Sequence, residues 1–227
     1  MKRIRNIVIL AAIASSTVAE ANRLQVWTQE NVSYGIGSGF TASVSEENRY
    51  GISDLNGSKH IDEIHVAPSV DYVVADWLSV GVNYRHVLIR NGSDSRYSQD
   101  RRPGVDLALR KKLSEASFLN RSRFICRSPE HEDPYFRYRN LSKVSYEIKQ
   151  HVVPYISYEW YYDEGSHDRP YRKNDRFSQQ WLTFGIDWTS FGNWKFSTYY
   201  MLTENKDRTS HSWYPGHVVG FSISYIF

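Results

Sequence analysis

Cysteine is almost missing: Cys126 is the one thiol in 227 residues. A single cysteine excludes an internal disulfide, and its distance from the amino terminus excludes the acylated first residue of a lipoprotein. Long apolar runs are missing too. Beyond the first twenty residues no segment reaches the roughly 18 consecutive apolar residues of a membrane-spanning helix, which excludes a helical membrane protein. Mean hydropathy is low, at −0.57. That value does not exclude a membrane β-barrel, because only alternate residues of each strand face lipid and the apolar signal is diluted by half. A strong charge of one sign is also lacking. The net charge of +3 is small for this length and carries no argument for a nucleic-acid partner.

What is present begins with an export signal. Met1-Lys2-Arg3-Ile4-Arg5 is a short basic head, Ile7 to Val18 is apolar or small, and Ala19-Glu20-Ala21 places small residues where a signal peptidase reads them. The apolar core is too short to span a bilayer, so residues 1–21 are expected to be cleaved and the mature chain to start near Asn22. Residues 22–227 are enough for one large domain rather than two. Aromatic residues make up 15% of the chain, more than soluble core packing usually needs. Membrane barrels use them as girdles at both membrane–water boundaries.

From Leu24 onward the dominant period is two. In the last strand Val219, Phe221, Ile223, Tyr225 and Phe227 alternate with Gly220, Ser222 and Ser224. One face is oily and the other slim and hydrated. Phe221, Ile223, Tyr225 and Phe227 therefore read as a terminal signal for barrel-assembly machinery, with outer-membrane lipid as the surrounding partner. The same alternation recurs in Leu78–Arg85, Val105–Arg110, Pro154–Tyr162 and Trp181–Trp188. Tight connections at Ala75-Asp76-Trp77, Ser114-Glu115-Ala116 and Phe191-Gly192-Asn193 alternate with polar segments at 55–61, 91–100, 129–134, 164–175 and 205–212. This sorting belongs to a membrane barrel with short periplasmic turns and longer outer loops.

The expected fold is all-β, a single antiparallel transmembrane β-barrel of 10–12 strands. Candidate strands lie near 24–36, 39–50, 61–75, 77–90, 101–113, 116–128, 135–149, 152–163, 176–189, 193–204 and 213–227. Bacterial single-chain barrels normally have an even number, with both chain ends periplasmic, so twelve is favoured. Pro68 and Pro154 fall inside strand-like runs, where a missing ladder donor is tolerated mainly near strand starts or bulges.

Several of these segments carry a resemblance. Trp27 and Tyr34, Trp77-Leu78-Ser79-Val80-Gly81-Val82-Asn83-Tyr84-Arg85, Arg102-Pro103 with Asp106-Leu107, Asn120-Arg121-Ser122-Arg123, Phe136-Arg137-Tyr138-Arg139-Asn140 and the closing aromatic strand together resemble an uncharacterised bacterial family of outer-membrane proteins, domain of unknown function 2490. The Asn-Arg-Ser-Arg and aromatic-Arg-Tyr-Arg-Asn patterns are the specific part. The chain departs from the family pattern at Ile125 and Cys126, where the resemblance implies an acidic residue and an aromatic. It implies a barrel and brings no assigned activity and no catalytic residues.

Projected onto a barrel, Arg85, Asp106, Arg110, Arg121, Arg123, Arg127, Arg137, Arg139, Lys143, Glu147, Glu159 and Asp187 fall on the non-lipid faces of their strands. Arginine facing lipid near the midplane would cost about 2–4 kcal/mol, so an inward direction is favoured. Such a lumen is either a salt-bridged structural plug or a small pore whose positive ring favours small anionic solutes. This set holds eight basic and four acidic members, so pairing within it cannot be complete. An outer-membrane acyl hydrolase or acyltransferase is the alternative from a different class. It needs a serine, a histidine and an orienting group together, and His65, His86, His151 and His217 have no recognisable local motif. His131-Glu132-Asp133 and His167-Asp168 read as solvated loop residues rather than metal ligands. No cofactor is expected.

Overall fold

Period-two alternation produces strands, and the strands close. The computed structural model describes residues 24–52, 60–91, 96–148, 151–164, 176–206 and 212–227. These form β1 (Leu24–Gly37), β2 (Phe40–Gly51), β3 (His60–Ala75), β4 (Leu78–Asn91), β5 (Arg96–Leu113), β6 (Ala116–Pro129), β7 (Tyr135–Tyr146), β8 (Val152–Asp163), β9 (Phe177–Phe191), β10 (Trp194–Lys206) and β11 (Trp213–Ile226). Each strand pairs antiparallel with the next, and β1 returns to β11 to close the barrel. Closure leaves no edge, so every strand satisfies its backbone groups inside the sheet, which is what a bilayer demands of a spanning structure. The proposed cleavage site lies outside the described residues.

The described strand number is eleven, and the closing pair is parallel: Leu24 stands opposite His217 and Val32 opposite Tyr225. Eleven lies within the expected 10–12, one short of the favoured twelve, and every junction but the closing one is antiparallel as expected. The two ends of the barrel wall also lie at opposite rims. Phe227 is at the rim of the short turns, beside the turn into Trp194. Leu24 is at the rim of the long loops, beside Gly51 and Ile52. Alternation reports which face a side chain takes and is blind to strand direction, so both points escape a pattern reading.

The short-turn rim holds Ser38-Gly39, Asp76-Trp77, Ser114-Glu115, Gly192-Asn193 and the β7–β8 connection. Two-residue hairpin turns require positive φ, and Ser38, Ser114, Gly39 and Gly192 supply it at 51°, 54°, 85° and 63°. The Ser114 hydroxyl donates to the Glu115 carboxylate at 2.5 Å and holds that carboxyl below its ordinary range. At the other rim β5 starts at Arg96, so the segment read as a loop up to residue 100 is partly strand, paired through Arg90 and Tyr97. Pro68 pairs with Val44 on its β2 side, while on its β4 side the ladder lapses across Ala67 and Pro68.

The outer wall is apolar. Val32, Val44, Val70, Val82, Val105, Leu107, Val144, Ile156, Phe184, Phe221 and Ile223 are all exposed there. Trp77, Trp194 and Tyr225 with Phe227 ring the short-turn rim, and Trp160 with Phe177 lies toward the other. An apolar belt between two aromatic girdles is the surface of a transmembrane barrel.

The inner face explains the glycines of the last strands. In one row across the wall Tyr155, Gly185, Tyr199, Gly220 and Trp27 are successive partners. A Cβ on Gly220 would collide with the Tyr199 ring, and one on Gly185 with the Tyr155 ring. The rings lie over the glycines, an aromatic cover that fills the lumen without side-chain crowding.

Candidate functional site in the barrel lumen

Two walls of different chemistry face each other. On β1 and β8 to β11, Trp27, Tyr161, Trp181, Met201 and Val218 pack into a buried cluster with Tyr199 against it. Trp27 meets Trp181 edge-on with centroids 5.4 Å apart, and Tyr161 meets Trp181 at 4.7 Å. On β4 to β7 the inner face is a ladder of arginines. Alternation sorts them: in Asn120-Arg121-Ser122-Arg123 and Phe136-Arg137-Tyr138-Arg139-Asn140 the arginines point in, and the residues between them point out, with Phe124 and Phe136 exposed on that outer face.

Most of the ladder is paired. Arg123 grips Asp106 with two hydrogen bonds of 2.5 and 2.6 Å, and Arg137 grips Asp163 with 2.5 and 2.7 Å. Arg139 holds Glu159 in the same fork. Asp100 accepts from Arg102 at 2.9 Å and from Arg127. Lys143 donates to Asp187 at 2.8 Å and lies 3.6 Å from the centroid of the Tyr155 ring. Forked guanidinium–carboxylate pairs bring geometric definition along with attraction.

The opposite side carries a network that alternation on β2 and β3 does not advertise. Arg49 donates to Glu47 at 2.8 Å, reaches Glu63 at 3.0 Å, and covers the Trp27 ring at 3.8 Å. His65, 1% exposed, lies 2.7 Å from Glu63 through Nε2 and 3.3 Å from Arg85 through Nδ1. A carboxylate can only accept and a guanidinium only donate. His65 therefore donates from Nε2 and accepts at Nδ1, a neutral ring clamped between opposite charges.

Among the described residues, three of the luminal arginines predicted from sequence are not matched by carboxylates. Arg85 bonds His65, and among the described residues it has no ion pair. Arg121 makes neither a hydrogen bond nor an ion pair with any described residue. Arg110 donates to the Ser79 hydroxyl at 2.6 Å. Glu147 stands beyond the end of β7 at the short-turn rim, 3.9 Å from Lys112, and not among the luminal arginines. The luminal residues missed from sequence are Glu47, Arg49, Glu63, Asp71, Asp100, Arg102 and Asp163. Carrying the Asp106 face upward in steps of two reaches Arg102, inside the expected strand 101–113, and then Asp100, at the end of the segment read as loop.

Among the described residues the lumen holds two cavities lined by the arginine ladder. The outer, about 480 Å³, is bordered by Arg102, Arg127, Arg137, Ile125, Tyr161 and Trp181 among others. The inner, about 360 Å³, is bordered by Gln29, Asn31, Ser43, Asp71, Arg110 and Arg121 among others. Asn83, Arg85, Arg123 and Arg139 border both, forming a waist between them. Ile125, one of the two positions where the chain departs from the pattern the resemblance implies, is buried at the outer cavity.

Among the described residues, the four candidate histidines lie in different parts of the barrel. His65 is luminal, His86 and His217 face outward, and His151 precedes β8. None of the four bonds a serine; His217 is bonded to the Tyr200 hydroxyl. Among the described residues no cluster of three metal-binding side chains occurs. His131 and Glu132 border the outer cavity, and His167-Asp168 lies outside the described residues.

The outward-facing residues of β6 and β7 are also organised. Asn120 and Asn140 exchange hydrogen bonds of 3.2 and 3.3 Å across β6 and β7. Asn120 also reaches Ser142 at 3.0 Å, Asn140 reaches Ser122 at 3.0 Å, and Ser122 meets the Tyr138 hydroxyl at 2.8 Å. On the outer face of β1 and β2, Glu30 and Glu46 are cross-strand neighbours near mid-strand.

Comparison with known proteins agrees with this architecture. The sequence profile of the family described as "Protein of unknown function (DUF2490)" matches residues 24–214. No curated protein matches the chain. Among solved structures, the NanC porin superposes with a TM-score of 0.55 at 12% identity, covering 88% of this chain and 97% of that one. LpxR from Salmonella typhimurium superposes with a TM-score of 0.50 at 9% identity, covering 85% and 84%. At such identities the likeness is one of fold.

Proposed function

The chain belongs to the DUF2490 family of outer-membrane-type β-barrels, and from that premise we propose that it is a non-catalytic bacterial outer-membrane protein forming a small pore that favours anionic solutes. The observation that carries the reading is the waist. Two luminal cavities meet at Asn83, Arg85, Arg123 and Arg139, and around the inner one the arginines without an ion pair to a described residue, Arg85, Arg110 and Arg121, outnumber the one such carboxylate, Asp71. A ring of fixed positive charge in a narrow, low-dielectric passage raises the local concentration of anions and repels cations. The paired arginines serve another end. Fixed by Asp106, Asp163 and Glu159, they stiffen the wall and set the passage width. The structural and conducting readings thus apply to different members of one ladder.

Outer-membrane residence is supported by the apolar belt, the aromatic rims and the terminal strand, whose Phe221, Ile223 and Tyr225 face outward and whose Phe227 closes the chain. It predicts heat-modifiable gel migration and recovery in the outer-membrane fraction. The pore is tested in planar bilayers under a potassium chloride gradient. The expected reversal potential is anion-preferring, and combined Arg85→Gln and Arg121→Gln changes move it toward the unselective value. Silence or cation preference in well-inserted protein would overturn the pore reading.

A further inference from the structure

Three of the carboxylates facing the arginine ladder are fully committed, while Asp100 Oδ1 at the outer cavity and Asp71 at the inner are acceptors left over. Asp106, Asp163 and Glu159 each use both carboxylate oxygens on an arginine. The donors nearby are in the opposite condition. Arg121 donates to no described residue, and Arg85 donates to His65 alone. Asn83 Nδ2 is buried with no acceptor, and so is Trp181 Nε1 on a side chain only 8% exposed. A buried donor without an acceptor costs about 1–3 kcal/mol. Asn83 Nδ2, bordering both cavities, and Trp181 Nε1, bordering the outer, are two such groups, and beside them stand two guanidinium groups without a carboxylate: Arg85, bordering both cavities, and Arg121, bordering the inner.

Whatever satisfies these groups must supply acceptors and negative charge and need no donors in return. A chloride ion presents one spherical acceptor and cannot serve donors placed on β4, β6 and β9. A tetrahedral oxyanion presents several oxygens in different directions and suits both forked guanidinium groups and single N–H donors. We propose that the waist of the lumen is a binding site for a multiply charged oxyanion, a phosphate or sulfate group, held by Arg121, Arg85, Asn83 Nδ2 and Trp181 Nε1. The proposal rests on the anion-pore reading and adds a saturable site to it. Either cavity is within the size range of small-molecule sites, so the oxyanion can be free or carried on a small solute. Asp71 marks the limit of the site. Its carboxylate borders the inner cavity, lies over Gly81 and is in no ion pair with any described residue, so it disfavours an anion on that side.

The test titrates inorganic phosphate against chloride current through the full-length barrel in planar bilayers, with phosphate binding measured in parallel on detergent-solubilised protein by calorimetry. Heat-modifiable migration checks that each variant is folded. The expected result is a saturable phosphate block of the chloride current. Arg121→Gln should weaken it about tenfold or more, the loss of one charged hydrogen-bonding group. Trp181→Phe, which keeps the ring and removes the N–H, should weaken it several-fold, and Asp71→Asn should tighten it. Sulfate acting like phosphate while acetate does not would identify multiple charge as the feature recognised. Chloride current with anion preference but no saturable block would reject the site and leave the pore standing. Phosphate binding that Arg121→Gln abolishes, in a barrel that passes no current, would leave the site standing and reject the pore. Absence of both would reject both.

Discussion

Arg121 on β6 and Arg137 on the adjacent β7 both point into the lumen, and their removal should have different consequences. Arg137 is 7% exposed and forked onto Asp163, which is fully buried. Arg137→Gln leaves a buried carboxylate without its counter-charge, which typically costs about 3–5 kcal/mol. Arg121 has no such partner, and its charge is repelled by Arg123 and Arg139. Arg121→Gln is therefore expected to leave stability unchanged or raise it. The comparison is read as the temperature at which the folded gel band converts to the unfolded one. A fall for Arg121→Gln like that of Arg137→Gln would show that Arg121 is structurally committed after all. The glycines under rings give a second expectation at this scale. Gly220→Ala drives a methyl into the Tyr199 ring; overpacking of this kind costs about 1–3 kcal/mol, and Tyr199→Leu in the same chain should relieve it.

Single strands were legible because alternation survives wherever one face is oily. β8 and β11 begin and end within a residue or two of their expected limits. What could not be read is how elements meet. The parallel meeting of β1 with β11 leaves no trace in either sequence, since a strand shows the same faces whichever way its neighbour runs. A cysteine pair settles it: in a Cys126→Ser background, Thr28→Cys with Phe221→Cys should cross-link, as should Val26→Cys with Val219→Cys. Thr28→Cys with Val219→Cys should not. Efficient cross-linking of that offset pair would show a different seam. The acids of β2 and β3 were missed for another reason. Glu46 and Glu47 are adjacent, one outward and one inward, so a charge on each face hides the period that would assign either. The Asn120–Asn140 pair escaped because its amides lie outward, where apolar residues were expected. They bond one another and the hydroxyls of Ser122 and Ser142. Replacing both by leucine removes donor and acceptor together and should be nearly neutral, whereas Asn140→Leu alone strands Asn120 and should lower the conversion temperature.

At the scale of the whole barrel, the direction of β1 fixes which side of the membrane each end of the wall meets. With the short turns periplasmic, the carboxyl end is periplasmic and the start of β1 faces the outside. An epitope placed before Leu24 should be reached by antibody on intact cells, and one after Phe227 only after the outer membrane is opened. Labelling of both from the same side would contradict the parallel closure.

The odd count has one more consequence, concerning ancestry. Barrels that grow by copying or losing hairpins change by two strands at a time, so they never alter parity. An eleven-strand wall cannot be assembled from repeated hairpins alone. Divided into hairpins, the eleven described strands leave one over, and the parallel join beside Leu24 and His217 is where that remainder meets the rest of the wall.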